Sequence, residues 1–186
     1  MAFPPLLRGK RVRLTALTPD DISTVTAWYQ DDDFLRLLDA RPAFPQAESA
    51  LRDWLEEQNK SGDAFLFAVR LNENDALIGY VSVDGILWAH GSGWLTIAIG
   101  HRAARGQGYG PEAVGLALNF AFREMNLHRI QLTVFSYNTR AIAAYERLGF
   151  TREGTYREAL RRDGRRYDMY LYGILRQEWE ARMSDT

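Results

Sequence analysis

The chain has 186 residues and not one cysteine, which excludes disulfides, a thiol nucleophile and a zinc–thiolate centre. Histidine is scarce: His90, His101 and His128 stand far apart and lack the spacing of metal ligands, so no metal is expected. No apolar run approaches the roughly 18 residues of a membrane-spanning helix. The opening MAFPPLLRGK has prolines and no long apolar core, so it does not read as a secretory signal; a cytoplasmic location is the expectation. Neither sign of charge prevails. The net charge is −1, and nothing global points to a nucleic acid or a lipid surface. Lysine is nearly absent, 2 residues against 21 arginines, a bias that genome base composition accounts for without a functional cause. What remains is the composition of one globular domain, 46% hydrophobic and 25% charged, with residues 1–186 long enough for a real core.

The chain is organised around residues 94–125. Trp94 to Ile99 is a short apolar run with β-branched residues, as in a largely buried strand. Gly106, Gly108 and Gly110 then alternate, Pro111 stands where a helix has its first residue, and Glu112 lies in the first turn. Val114, Ala117, Leu118, Ala121, Phe122 and Met125 recur at the spacing of one helix face. Strand, glycine loop and helix together bind anions. Residues without Cβ let backbone N–H groups turn inward, and the helix start adds positive partial charge. A pyrophosphate is the natural guest.

Three ligand classes use such a loop. A nucleoside triphosphate needs Gly-Lys-Ser/Thr at its end, whereas this loop ends Gly110-Pro111-Glu112. A dinucleotide needs G-x-G-x-x-G/A, which Gly108 to Ala113 matches. It also needs a carboxylate at the end of the next strand, and the run Ile130–Phe135 leads into Ser136-Tyr137-Asn138 instead. The third class fits best. Arg105-x-x-Gly108-x-Gly110 after a strand resembles the Arg/Gln-x-x-Gly-x-Gly/Ala signature of the GCN5-related N-acetyltransferase (GNAT) family, which holds the pyrophosphate of acetyl-coenzyme A. Downstream, Asn138, Ala141, Tyr145, Gly149 and Phe150 resemble the family's N-x-x-A-x-x-x-Y-x-x-x-G-F element. The run Leu127 to Phe150 is similar to the branch of ribosomal-protein N-terminal (RimJ/RimL-like) and spermidine acetyltransferases. The resemblance covers residues 77–175; the segment before it matches only in its order of elements.

The resemblance implies a mixed α/β fold, a twisted and mostly antiparallel sheet of about seven strands with helices on both faces and splayed central strands. It implies acetyl-coenzyme A as co-substrate and a primary amine as acceptor: a protein N-terminus, a polyamine or a small-molecule amine, acylated by direct attack. The backbone of Ile97, Ala98 and Ile99 would pair with the pantetheine, and Arg105, Gly106, Gln107, Gly108, Tyr109 and Gly110 would hold the pyrophosphate. Asn138 reads as a helix cap, a cofactor contact, or both. Tyr145 is the first choice for the catalytic acid, its phenol still protonated where a thiol has ionised. By pattern alone, Tyr145 could equally be a core residue beside Ile142 and Leu148. Two other classes stay open: an acetyl-coenzyme-A-binding sensor or scaffold without turnover, and a dinucleotide-dependent oxidoreductase.

A general base is harder to name. Where many relatives carry a glutamate, this chain has Trp94; where another branch carries one, it has Thr133. Asp84, at a strand end, and His90, in the loop before the central strand, are the candidates, with a water chain or an already neutral amine as alternatives.

The rest of the chain reads as a strand over 11–17, a helix from Thr18 to about Tyr29, a loop or short turn at Asp31-Asp32-Asp33, a helix over 46–60 and strands over 64–71 and 77–84. A bend over 86–93, a strand over 129–135 and a helix over 139–148 follow. A hairpin around Asp163-Gly164 and a helix over 175–183 complete it. Between Thr18 and Asp63 eleven carboxylates face four cations, an acidic rim that would attract a cationic amine or else a solvated helix surface. Arg161, Arg162, Arg165 and Arg166 surround the hairpin tip, open to solvent, an acidic partner or a second subunit, and a homodimer stays open. Trp54, Trp88 and Trp94 are candidates to line an acceptor pocket.

Overall fold

The computed structural model describes residues 6–184, so the first five residues of the opening MAFPPLLRGK lie outside the described residues. Strand β1 (Val12–Ala16) runs into a 3-10 turn at Pro19–Asp21. There Thr18 donates from its backbone N–H (2.9 Å) and its hydroxyl (3.0 Å) to the Asp21 carboxylate, so the expected helix start holds. Helix α1 (Ile22–Trp28) follows, and then, where the sequence predicts a loop or short turn, a second helix, α2 (Asp32–Leu38). Asp31 caps it through its side chain, which accepts from the Asp33 N–H at 3.2 Å, and Asp32 and Asp33 sit where acids favour a helix start. Three consecutive aspartates are a loop signal only until Phe34, Leu35 and Leu38 behind them are read as a buried face.

Helix α3 (Glu48–Lys60) closes this layer. Strands β2 (Phe65–Leu71), β3 (Leu77–Leu87) and β4 (Ser92–Ile99) form an antiparallel meander, with a 3-10 turn at Trp88–His90. Helix α4 (Tyr109–Arg123) begins two residues earlier than expected, so Pro111 is its third residue. The missing N–H there has no intrahelical partner in any case, which makes the proline harmless. Strand β5 (Arg129–Phe135) and helix α5 (Thr139–Leu148) follow, the helix capped by the Asn138 side chain on the Ala141 N–H (3.3 Å) and ended by Gly149 at φ 99°. Strands β6 (Thr151–Arg162) and β7 (Arg165–Leu175) form the hairpin, turned by Asp163 (φ 49°) and Gly164 (φ 76°), and α6 (Arg176–Ser184) ends the described chain.

The seven strands lie in the order β1-β2-β3-β4-β5-β7-β6, antiparallel everywhere except between β4 and β5. This is the mixed α/β sheet the resemblance implied. One face is covered by α4, α5 and α6. Ala113, Val114, Ala117, Leu118, Ala121 and Phe122 of α4 are buried there, the helix stripe read from the sequence apart from Met125, which packs at its margin. The other face carries α1, α2 and α3 through Ile22, Val25, Trp28, Phe34, Leu51 and Leu55. Strand β3, covered on both sides, is buried at every position from Leu77 to Val83.

The break in this sheet matters most. β3 and β4 pair from Gly79–Ile99 to Leu87–Ser92. β4 and β5 pair only at Ser92–Arg129, Gly93–Ile130 and Trp94–Gln131. Beyond Trp94 the two central strands diverge, leaving the edges of Leu95–Ile99 and Leu132–Phe135 facing each other without hydrogen bonds between them.

Candidate active site

The divergence opens a cavity of about 680 Å³. β4 from Trp94 to Ile99 forms one side, and Thr133, Val134 and Phe135 of β5 with Asn138, Ala141 and Tyr145 beyond them form the other. Gly106, Gly108, Gly110 and Pro111 of the loop before α4 complete the lining, together with Phe34, Leu37, Leu38, Asp39 and Ala40 of the α2 region. Among the residues expected from the sequence, Asp84, Ile97, Ala98, Ile99, Arg105, Gly106, Gly108, Gly110, Asn138 and Tyr145 all line this one cavity. Gln107, Tyr109 and His90 do not. Gln107 points to solvent, and its carbonyl accepts from Arg11 Nη1 at 2.8 Å. The Tyr109 ring packs against the core under the Arg11 guanidinium, 4.9 Å away. His90 is exposed in its turn, away from the cavity, which leaves Asp84 as the better placed of the two candidate bases.

The glycine loop has the geometry its sequence announced. Gly106 (φ 80°) and Gly108 (φ 82°) are both left-handed. Among the described residues no acceptor meets the backbone N–H of Gly106, Gln107, Gly108, Tyr109 or Gly110. Five free donors beside a helix start suit a pyrophosphate, so the residues present fit that group.

Arg105, by contrast, is not a free cation. Its Nε donates to the Ile99 carbonyl (3.0 Å), its Nη2 to the Gly100 carbonyl (2.8 Å) and to Asp31 Oδ2 (3.1 Å), and its guanidinium lies over Phe34 at 5.5 Å. Its side chain fastens the end of β4 to the N-cap of α2. On the other side of that junction the Trp28 indole lies on Gly100, where a Cβ would come within 1.9 Å of it. Two cations that the sequence reading missed stand at the loop instead. Arg140 approaches Gly106, and Arg11, ion-paired with Glu112 at 3.0 Å, approaches Gly108. The signal for Arg140 was its place in the first turn after Asn138; Arg11 is brought from the far end of the chain and left none.

Tyr145 is buried, its ring edge-on to Phe150 at 5.7 Å, and its hydroxyl has no hydrogen-bond partner among the described residues. Burial pushes the phenol up to about 12. The Asp84 carboxyl is raised above the usual carboxylate range, first by burial and further by the charge of Asp63, against a 2.6 Å hydrogen bond from Ser82 Oγ. Of the three tryptophans, Trp94 lines the cavity, Trp54 packs on Tyr80 at 5.5 Å, and Trp88 is exposed.

The hairpin tip is partly committed. Asp163 pairs with Arg36 of α2, and Arg162 Nη2 donates to the carbonyls of Asp39 (2.8 Å) and Arg41 (3.0 Å). Arg161, Arg165 and Arg166 are exposed. No helix among the described residues is long and apolar enough to cross a membrane. No group of three or more metal-ligating side chains is found among them either.

Residues 11–151 match the acetyltransferase (GNAT) domain family. The chain is 30% identical over 172 residues to the prophage-derived uncharacterised N-acetyltransferase YokL of Bacillus subtilis, covering 92% of this chain and 94% of that one. It is 31% identical to the spermidine N(1)-acetyltransferase of Vibrio cholerae, over 68% of this chain and 80% of that one. The crystal structure of spermidine N-acetyltransferase from Vibrio cholerae with CoA and spermine superposes with a TM-score of 0.83 at 24% identity, covering 91% and 98% of the two chains.

Proposed function

Because the chain belongs to the GNAT acetyltransferase family, we propose that its cleft holds acetyl-coenzyme A between β4 and β5 and passes the acetyl group directly to a primary amine. The observation that carries this reading is convergence. One cavity is lined by an unpaired edge of β4, a glycine loop with free donors, a buried tyrosine and a carboxylate of raised pKa. A dinucleotide-dependent oxidoreductase is disfavoured by the same sheet, which has one short parallel pairing where a dinucleotide fold has a parallel core.

The co-substrate supplies an acetyl thioester. The N–H groups from Gly106 to Gly110 hold its pyrophosphate, and Arg140, which lines the cleft beside Gly106, balances part of that charge. The free edge from Leu95 to Ile99 holds the pantetheine arm by backbone pairing. Asp84, with its raised pKa, takes the proton that the acceptor nitrogen must lose as it bonds to the acetyl carbon. As the carbon–sulfur bond breaks, the sulfur carries the negative charge. Tyr145 keeps its own proton at neutral pH because its pKa is about 12, and so it donates a hydrogen bond to the departing thiolate. Transfer of that proton to sulfur is uphill unless Tyr145 is reprotonated from the acceptor side.

Calorimetric titration with acetyl-coenzyme A, with NAD as control, tests the binding half of the reading, and thiol release over a panel of primary amines tests the chemistry. Binding of acetyl-coenzyme A alone, abolished in Gly108→Val, is expected. Preference for NAD, or no binding, would overturn the assignment.

A further inference from the structure

A second cavity, of about 550 Å³, adjoins the first and shares Leu37, Arg105 and Arg140 with it. It lies where α2, the loop before α4, the start of α5 and the tip of the β6–β7 hairpin meet. Its lining is cationic: Arg36, Arg102, Arg105, Arg140 and Arg162 face a single lining carboxylate, Asp33.

The ion pairs around it do not cancel this charge. Arg102 and Arg105 share Asp31 at 3.3 and 3.1 Å, Arg102 also reaches Asp33 at 3.4 Å, and Arg36 pairs with Asp163. Three carboxylates therefore answer five guanidinium groups. Arg140 has no carboxylate partner among the described residues. Arg162 donates only to two backbone carbonyls, and its buried Nε has no acceptor. The two remaining lining side chains keep the cavity in shape. The Tyr137 hydroxyl donates to the Arg36 carbonyl, and its ring stands edge-on to Tyr167 at 5.0 Å.

The same pairs change the meaning of the acidic segment. Asp31, Asp33 and Asp39 all belong to it, and all three are bound by arginines: Arg102 and Arg105 for the first, Arg102 for the second, Arg41 at 2.6 Å for the third. They do not offer a bare negative rim to a polycation at the mouth of the cleft. Arg140 is shared with the glycine loop, but Arg36 and Arg162 line the second cavity alone and are not needed for the pyrophosphate, which has backbone donors of its own.

We infer that this cavity receives an anionic group, a carboxylate or a phosphate, borne by the acceptor, so that the amine acetylated is an anionic amine rather than a polyamine. The inference rests on the acetyl-transfer reading above. It assigns Arg36 and Arg162 to acceptor specificity.

The test is thiol release from acetyl-coenzyme A with ω-amino carboxylates of graded chain length, their uncharged carboxamides, the corresponding ω-aminoalkyl phosphates, and spermidine. The carboxylates or the phosphates are expected to exceed the carboxamides at least tenfold in kcat/KM, and the better of the two names the anion. In Arg36→Gln and Arg162→Gln, each made separately, KM for the preferred anionic amine is expected to rise about tenfold, while acetyl-coenzyme A still binds as in the unaltered protein by calorimetry. That binding also reports that each variant is folded. Spermidine or the carboxamides turned over as well as the anionic amines would overturn this inference alone. So would a fall in acetyl-coenzyme A affinity in Arg36→Gln, which would give the cavity to a phosphate of the co-substrate. Bound acetyl-coenzyme A with no thiol release from any amine would overturn the acetyl-transfer reading, and this inference with it.

Discussion

Two parts of the cleft wall, the α4 loop and the α2 region, are built by different means. At the α4 loop the shape is held by backbone: Gly106 and Gly108 in left-handed conformations, a helix start, and N–H groups left free by geometry. In the α2 region it is held by side-chain charges drawn from distant parts of the chain, Arg105 on Asp31, Arg102 on Asp31 and Asp33, and Arg36 on Asp163. A backbone site tolerates exchange of side chains as long as its glycines remain. A charge-held site answers to pH, to salt and to the loss of any single partner.

The largest effect is expected at the backbone-held loop. Gly108→Val forces a β-branched residue into φ 82° and brings a Cβ within 3.1 Å of the Arg11 guanidinium, so acetyl-coenzyme A affinity should fall by about 10²-fold or more in calorimetry. Asp84→Asn should lower kcat by about 10²-fold and abolish the acid limb of the pH–rate profile. That limb should lie above the ordinary carboxylate range, because burial raises Asp84 and the rate falls as pH drops through that raised value. The same variant should melt higher at neutral pH, since it removes a partly desolvated charge. If Asp84→Asn leaves both the rate and the profile unchanged, a water chain has the role. Tyr145→Phe should reduce kcat by about tenfold, the worth of a hydrogen bond to a charged sulfur, with acetyl-coenzyme A affinity kept.

The charge-held region should respond to acid in the opposite sense to Asp84. Burial acts to raise the Asp31 carboxyl, but the hydrogen bond and charge of Arg105, then the charge of Arg102, outweigh it and hold the group below its usual range. A carboxylate lowered in this way contributes stability above its unfolded pKa and loses it as pH falls through the folded value. Amide exchange in α2 should therefore rise on acidification while that of β3 stays slow. The smallest effect is expected from Asp163→Ala, whose carboxylate is largely exposed: a barely measurable fall in melting temperature that vanishes at high salt. A large loss from Asp163→Ala would mean that the hairpin tip organises the α2 region more firmly than a screened pair can.

This contrast also governs what could be read from the sequence. The strand, glycine loop and α4 stripe were legible because their signals are local: φ > 0 selects glycine, and one helix face selects Val114, Ala117, Leu118, Ala121 and Phe122. The Asn138 cap, the Gly149 stop and the Asp163-Gly164 turn were legible for the same reason. α2 was missed because three aspartates outweighed the apolar residues behind them. Arg105 was placed in the right loop but expected to act on the ligand, and nothing in a run of one-letter codes tells a guanidinium that faces a phosphate from one that faces Asp31, 74 positions away. The ring of arginines around the second cavity comes from four separate segments and has no pattern to find.

The brevity of the β4–β5 pairing bears on folding as well. The sheet is two antiparallel ribbons, β1 to β4 and β5 to β7 with β6, stitched by three residue pairs. Whatever lies along the open edges completes the seam, so binding energy and cohesion between the ribbons are the same free energy seen from two sides. Without its ligand the two ribbons are held together by those three pairs and by the apolar core they share beneath α4. A cleft that a strand-like ligand can enter is, by the same geometry, a sheet left one strand short.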